Sequence, residues 1–360
     1  MTIAVDCRMI NASGIGVYLR GCLPCFLQSE HEFLLLGNIK ELRSFESNPH
    51  VKITNCNIKP FSIKELFFFP PKITRQINKA AVYFSPSFNI PQGITIPVYT
   101  VIHDIIFPDM PELVSKTGLA MRMWFYRRAY KKSQKIFTVS EFSKSRIEHH
   151  LGKTKPVIVT HSALQPLFFE YAEKVRAVSK TKTIVFIGNI KKHKGLDCLL
   201  DAFCLAKNDG LPHKLIIIGS KENFRSSDNA VLQKIEAIGT DAVSFTGFVS
   251  DEQLVKYLAE ASLFVQPSLY EGFCLPPLEA MVLGTHALIS DIPVLKEIYA
   301  DYPVIFFRAG DSLDLKNKIV EQLLNRAAIN LSLPEYLAKK YNFPKTASII
   351  LENLGNPSLI

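Results

Sequence analysis

Short runs rich in Val, Ile, Leu and Phe recur along the chain, separated by stretches whose apolar residues return every three or four positions. The runs predict buried strands and the stretches predict amphipathic helices. In the first half, strands are expected at Ile3–Val5, His31–Leu36, Val98–Ile102, Lys135–Val139 and Pro156–Thr160. Gly14-Ile-Gly16 opens a helix reaching about Phe26, and Ser140-Glu-Phe-Ser143 reads as a helix start with a Ser cap. Residues 171–182 are charged and lack a strong apolar period, so they read as linker. The pattern then restarts. Strands at Thr183–Ile187, Leu215–Ile218, Val243–Phe245, Leu263–Gln266 and Ala287–Ser290 alternate with helices at 196–207, 251–261 and 278–283. Such alternation makes parallel sheets. The expectation is an α/β protein of two doubly wound, Rossmann-like domains facing each other across a cleft. The boundaries are 1–165, a linker at 166–182, a second domain at 183–340, and a C-terminal segment at 341–360.

Doubly wound sheets bind ligands beyond the carboxyl ends of their strands. The positions to weigh are therefore Gly14–Gly16, His103-Asp104, Gly188–Lys194, Gly219, Gly247 and Tyr270–Glu279.

Composition narrows the class. With 360 residues, 48% hydrophobic and 21% charged, the chain is not disordered. No apolar run approaches the roughly 18 residues of a membrane-spanning helix. Charges at Asp6 and Arg8 interrupt the region where a signal peptide would be apolar, so the expected location is cytoplasmic. The seven Cys are odd in number and scattered, unlike a disulfide framework, and none is spaced for a zinc site. Cys22-Leu-Pro-Cys25 has redox spacing but falls mid-helix, which favours core cysteines.

Charge adds a direction. Net charge is +9, yet residues 1–165 hold 21 Lys and Arg against 11 Asp and Glu. The first half therefore carries all of the excess, which suggests an anionic partner for it. Lys116–Lys135 sets Arg122, Arg127, Arg128, Lys131 and Lys132 around Met123-Trp-Phe-Tyr126, and Phe61–Lys79 sets Phe67-Phe-Phe69 beside Lys64, Lys72, Arg75 and Lys79. Basic residues beside aromatics fit an interfacial helix on an anionic membrane. They fit a core helix with a solvated basic face equally well. No helix-turn-helix, zinc-finger or RNA-binding pattern accompanies the charge, so nucleic acid is not expected.

Four motifs carry candidate chemistry. In Ser268-Leu-Tyr-Glu271-Gly-Phe-Cys-Leu-Pro-Pro-Leu-Glu279, two carboxylates flank a loop-to-helix junction preset by Pro276-Pro277. Free N–H groups and the helix dipole there suit a phosphate, while the carboxylates could accept from sugar hydroxyls. A carboxylate that simply complements the dipole fits as well. Gly188-Asn-Ile-Lys191-Lys-His-Lys194-Gly195 places three Lys at a helix opening, where cations are disfavoured unless an anion is present. A solvated basic turn is the alternative. His103 after a buried strand could donate to a substrate or be a satisfied core His. Gly14-Ile-Gly16 would let backbone approach a ligand. No Asp-x-Asp occurs, so a metal-held diphosphate is not expected.

Together these residues resemble a retaining glycosyltransferase of the GT-B fold, in the large family 4 that includes bacterial mannosyl-, glucosyl- and rhamnosyltransferases. The resemblance is clearest in VFIGNIKKHKGL (185–196), SFTGFVSDEQL (244–254), LFVQPSLYEGFCLPPLEAM (263–281) and DIPVLKEI (291–298). It is weaker in GIGVYLRG (14–21), VIHDIIFP (101–108) and FTVSEFSKSRI (137–147). It implies transfer of a hexose from a nucleotide diphosphate-sugar, of GDP-mannose or UDP-hexose type, to a hydroxyl of a glycan or lipid-linked acceptor. Cell-surface polysaccharide synthesis at the inner membrane face is the implied setting.

The resemblance also implies roles. Glu279 would hold the ribose and Glu271 would lie beside the donor sugar. Phe273, Cys274 and Leu275 would offer backbone N–H groups, and Lys194 would neutralise the diphosphate. Backbone at Gly247-Phe248 would read the base, His103 would lie by the transferred sugar, and Gly16 would approach the diphosphate. YNFPKTASIILENL (341–354) resembles a C-terminal helix that crosses back to the first domain. Departures from the pattern are Asn189 and His193, where Arg is common, and Cys274, where Gly is common. Lys191 or Lys192 could supply the missing charge. A nucleotide-sugar epimerase on the same fold and a non-catalytic glycan- or lipid-binding scaffold are the alternative functions.

Overall fold

The computed structural model describes residues 1–12, 14–175, 178–219, 229–239, 241–324 and 333–355. They form two compact units, Met1–Ala163 with Tyr341–Ile360, and Leu164–Lys340.

The first unit holds β1 (Thr2–Asp6), β2 (Glu32–Gly37), β3 (Val51–Asn55), β4 (Val82–Ser85), β5 (Val98–Val101), β6 (Ser133–Thr138) and β7 (Val157–Val159). All pairings are parallel, in the order β3-β2-β1-β4-β5-β6-β7. Every residue of β4 and β5 is buried, as helices on both sheet faces require. The chain runs outward from β1 to β2 and in the opposite direction from β4 to β5. The opening between β1 and β4 is therefore where such a sheet admits ligands. The helix Phe343–Asn353, capped by Asn342, returns to this unit and packs on the helix Gly14–Phe26. The approach is close enough that a Cβ on Gly21 would lie 2.1 Å from the Phe343 ring. Thr346 Oγ1 donates to the Thr160 carbonyl at 3.1 Å, and Lys135 Nζ donates to Asn353 Oδ1 at 3.1 Å.

The second unit holds β8 (Thr183–Ile187), β9 (Lys214–Ile218), β10 (Val243–Gly247), β11 (Leu263–Gln266), β12 (Ala287–Ser290) and β13 (Ile305–Phe307). These are again all parallel, in the order β10-β9-β8-β11-β12-β13, with the switch between β8 and β11. Phe186, Leu199, Phe203, Ile217, Val265 and Leu288 pack its core. Ser250 and Gln253 form a reciprocal capping box that starts the helix Asp251–Glu260.

One expectation is corrected. Residues 166–175, assigned to the linker, form a helix that packs on the second unit. Phe168 and Ala172 are buried at i and i+4, and the charged Glu170, Glu173 and Lys174 are exposed. Residues 176–177 of that linker and the tail 356–360 lie outside the described residues. Cys22 is buried and Cys25 half-buried, unbonded to each other, and burial pushes both thiols up.

Candidate active site

The loops after β8 and β11 meet at the switch point of the second sheet. Gly195 makes the contact possible. Its φ of 69° is left-handed, and a Cβ there would sit 1.9 Å from the Pro267 carbonyl oxygen. Leu269 N–H donates to the His193 carbonyl at 2.7 Å and ties the loops together. This packing delivers Lys194 to Glu271, with Nζ 2.7 Å from Oε1 and 2.9 Å from Oε2. Ser268 Oγ donates to the same Oε1 at 2.7 Å and accepts from Gln266 Nε2 at 2.7 Å, while Ser290 Oγ donates to the Ser268 carbonyl. The side chains of Lys194 and Glu271 are 24% and 10% exposed, so the pair is largely out of water but open on one side.

The rest of the basic loop faces solvent. Asn189, Lys191 and Lys192 are exposed and His193 is half-buried. Burial, with Lys194 adding repulsion, pushes His193 down to about 4, so it is neutral at pH 7. It therefore does not replace the charge of an Arg at that position. The positive charge of the loop at neutral pH comes from the three lysines.

Glu279 lies in the first turn of the helix Pro276–Val282 and is buried. Among the described residues no hydrogen bond reaches its carboxyl group. Burial, with the Asp251 charge adding, raises it to about 8. The folded chain thus holds a proton there that an unfolded chain releases near the ordinary value of 4.5. By linkage, this group lowers stability as pH rises from about 4.5 to 8. In Glu279→Gln, the midpoint of thermal unfolding should fall less steeply than in the parent between pH 5 and 8. Thermal melts across that range check it; parallel slopes would show that Glu279 does not carry the proton.

The helix opening itself differs from expectation. Pro276 and Pro277 have no N–H, and the N–H groups of Leu278 and Glu279 both donate to the Leu275 carbonyl, at 2.9 and 3.1 Å. The first turn therefore offers no free donor. Backbone donors for a phosphate must come from the loop before it, at Cys274 and Leu275. Phe273 is buried and contributes apolar packing.

Cys274 adopts φ 74°, the left-handed region, and its carbonyl accepts from Tyr299 Oη. Burial and the Glu271 charge push its thiol well up, so it is a weak nucleophile. Cys274→Gly should raise unfolding stability by up to about 1 kcal/mol by relieving the left-handed strain. Chemical denaturation measures this; a loss of stability would mean that thiol packing outweighs strain.

At the far side of the sheet, Gly247 (φ 72°) ends β10 in open space, and the ring of Phe248 is 87% exposed. Gly219 and Gly247 form an isolated bridge, and a Cβ on Gly219 would lie 2.3 Å from the Gly188 carbonyl oxygen. The ends of β8, β9 and β10 therefore crowd together without side chains.

In the first unit, Gly16 is explained locally. A Cβ there would lie 2.5 Å from the Ile10 carbonyl oxygen, to which Arg20 also donates. Gly14 faces open space. His103 Nε2 lies 2.9 Å from the Pro86 carbonyl oxygen. That oxygen can only accept, so Nε2 carries the hydrogen and Nδ1 is left as an acceptor. Burial pushes the imidazole down to about 4, so it stays neutral. His103 is thus able to accept from a hydroxyl, and its one N–H is already used. On the helix Lys116–Lys132, Arg122 stacks on Phe107 at 4.3 Å and Arg128 Nη1 donates to the Ile90 carbonyl at 2.6 Å. Arg127, Lys131 and Lys132 are exposed. Among the described residues, no group of three His, Cys, Asp or Glu is placed to hold a metal ion.

Sequence reasoning did not single out Gln266, Ser290 or Tyr299. The first signal was available: Gln266 is a polar residue ending an otherwise apolar strand.

Two parallel α/β units with the site at a sheet switch point define the class, and similarity to known proteins agrees. Residues 168–340 match the family model described as glycosyl transferases group 1. The chain is 29% identical over 234 residues to O-antigen chain mannosyltransferase B of Escherichia coli, covering 62% of this chain and 60% of that protein. The chain thus spans less than two thirds of that relative's length. Sucrose-phosphate synthase from Thermosynechococcus elongatus superposes with a TM-score of 0.77 at 17% identity, over 98% of each chain. Anabaena HepE, in a crystal structure with UDP and glucose, superposes with a TM-score of 0.70 at 18% identity, over 100% of each chain. The match places the second unit with the glycosyl transferases group 1, and the solved structures show that the whole chain has the two-unit GT-B fold.

Proposed function

We propose that the protein is a retaining, metal-independent glycosyltransferase that moves a hexose from a nucleotide diphosphate-sugar to a hydroxyl of a glycan or lipid-linked acceptor. The observation that carries this is the Lys194–Glu271 pair at the β8/β11 switch point, with the buried, unbonded carboxyl group of Glu279 in the helix that follows. No hydrogen-bonding group among the described residues meets this carboxyl group, and a ribose diol is a ligand that would. Lys194 would meet the diphosphate, with N–H groups of Cys274 and Leu275 on its other oxygens. The exposed Phe248 ring offers a face for the base. In the first unit, Nδ1 of His103 is left for a sugar hydroxyl.

In the reaction, the bond from the anomeric carbon to the diphosphate oxygen breaks and a bond to the acceptor oxygen forms on the same face. The acceptor's proton passes to the departing phosphate oxygen. Lys194 stabilises the charge that builds there. O-antigen chain mannosyltransferase B supports a glycan acceptor and a mannosyl donor, and HepE, crystallised with UDP and glucose, supports a UDP donor.

The test is proton NMR of the chain with GDP-mannose or UDP-glucose and a mannoside acceptor, with EDTA present. The expected result is a new glycoside whose anomeric coupling matches that of the donor. An inverted product would overturn retention, and loss of turnover on chelation would overturn metal independence. Conversion of the donor to its epimer without acceptor would replace transferase by epimerase.

A further inference from the structure

The first unit carries an apolar, cationic face that its own fold leaves uncovered. The helix Ile63–Phe67 and the residue after it expose Ile63 (71%), Phe67 (64%) and Phe68 (70%). The helix Lys116–Lys132 exposes Met121 (55%) and Trp124 (48%). The two segments are continuous. The Phe61 ring lies 5.3 Å from Phe125, and Phe125 lies 5.1 Å from Trp124. Arg128, over the Trp124 ring at 5.8 Å, reaches across to the Ile90 carbonyl, and Gln92 N–H donates to the Glu65 carbonyl at 3.2 Å.

The exposed rings are held in place. Glu65, on the same short helix, is fully buried and accepts from Arg8 Nη2 at 2.5 Å, Asn89 Nδ2 at 3.0 Å and Phe61 N–H at 2.6 Å. Phe67 and Phe68 are thus presented by an anchored element.

The charge around them has one sign. Residues 61–79 and 116–135 contain eleven Lys and Arg and one acidic residue, the same Glu65 that Arg8 engages. Lys59 and Lys64, with Asn57 and Ser62, line a hollow beside Ile63. An acidic protein surface or a nucleic acid would match the cations but would leave the protruding Ile63, Phe67 and Phe68 in water. Apolar tips ringed by cations match the acyl boundary and phosphate layer of an anionic bilayer. The face also adjoins the candidate site of its own unit. Phe88, 4.9 Å from Phe61, stands two residues from Pro86, whose carbonyl holds His103.

We infer that this face seats the first unit on an anionic lipid surface, with Phe67, Phe68 and Trp124 entering the headgroup region and the surrounding lysines and arginines meeting lipid phosphates. It does not depend on the donor reading.

Trp124 is the sole tryptophan, so the emission of the full chain reports this face directly. Vesicles of phosphatidylglycerol should shift that emission to the blue, and brominated acyl chains should quench it; phosphatidylcholine vesicles should do neither. Raising salt from 0.1 to 0.5 M, or the pair Lys64→Glu and Arg127→Glu, should weaken binding at least about tenfold. Phe67→Ser with Phe68→Ser should abolish the quenching, and Phe67→Leu with Phe68→Leu should restore it, with circular dichroism unchanged in both. Vesicle binding without a change in Trp124 emission, equal binding to both lipids, or self-association in place of vesicle binding would each overturn the inference. Nucleotide binding measured on the same samples separates the two readings: its failure beside intact vesicle binding counts against the donor site alone.

Discussion

Lys194→Met should lower turnover by about 100-fold or more while leaving the protein folded. A positioned donor aimed at charge that develops in the transition state is typically worth 10² to 10³ in rate. The fold survives because Glu271 keeps its bond from Ser268, and the lost ion pair is open to water on one side. Lys194→Arg should restore the rate only in part: its fork can still pair with both Glu271 oxygens, but the longer, planar head spreads the charge and moves it from the point the ammonium occupies. Steady-state kinetics with saturating donor decide it. A Met variant that keeps half the parental rate would remove Lys194 from the chemistry.

Arg8→Met should cost about 3–5 kcal/mol of stability, the usual result of leaving buried charge without its partner. Arg8 Nη2 lies 2.6 Å from Asp6 Oδ2 and 2.5 Å from Glu65 Oε1, with all three side chains almost wholly buried. Tyr83 Oη donates to Asp6 at 2.8 Å. Burial alone would raise Asp6, but Arg8 outweighs it and holds the carboxyl group below its ordinary value. The sign with pH follows. In the parent, the Asp6 contribution is full above the ordinary carboxylate value and is lost as pH falls through the lower folded value. In the variant, Asp6 loses the hold of Arg8 and its burial favours the protonated form, so the deficit should shrink in acid. Urea denaturation at pH 7 and pH 5 measures both. A deficit that does not narrow at pH 5 would mean that Arg8 acts by packing alone, through its stacking on Phe69.

Much of this architecture is visible in the chain. The strands Thr183–Ile187, Leu263–Gln266 and Ala287–Ser290 are read to the residue, because uninterrupted β-branched and apolar runs between turn residues leave little choice. Val51–Asn55 is not legible although its residues alternate, because five residues among scattered Asn and Lys give too short a pattern to stand out. Val82–Ser85 and Ile305–Phe307 are too short to stand out without their neighbours in the sheet. The helix at 166–175 was hidden because its last residues run into the charged stretch that continues to residue 182. At the candidate site, Glu271, Glu279 and Lys194 were singled out by their spacing and by the resemblance, and the structure brings Lys194 onto Glu271. Their states were not legible in the chain. That Lys194 rests on Glu271, that Glu279 holds a proton, and that His103 has spent its N–H on Pro86 are consequences of packing between distant segments. The proline pair at 276–277 misled, since it both starts the helix and removes the N–H groups a phosphate would use.

The most direct test is titration calorimetry of UDP, GDP, dTDP and ADP into the chain at pH 7, repeated in buffers of different ionisation enthalpy, with Glu279→Gln alongside. One diphosphate should bind with EDTA present and release a proton, because a ribose diol that donates to Glu279 stabilises its ionised form. The Gln variant should bind more weakly and release none. If no diphosphate binds, or if one binds equally well to both proteins with no proton released, the donor site is not the one built by Lys194, Glu271 and Glu279.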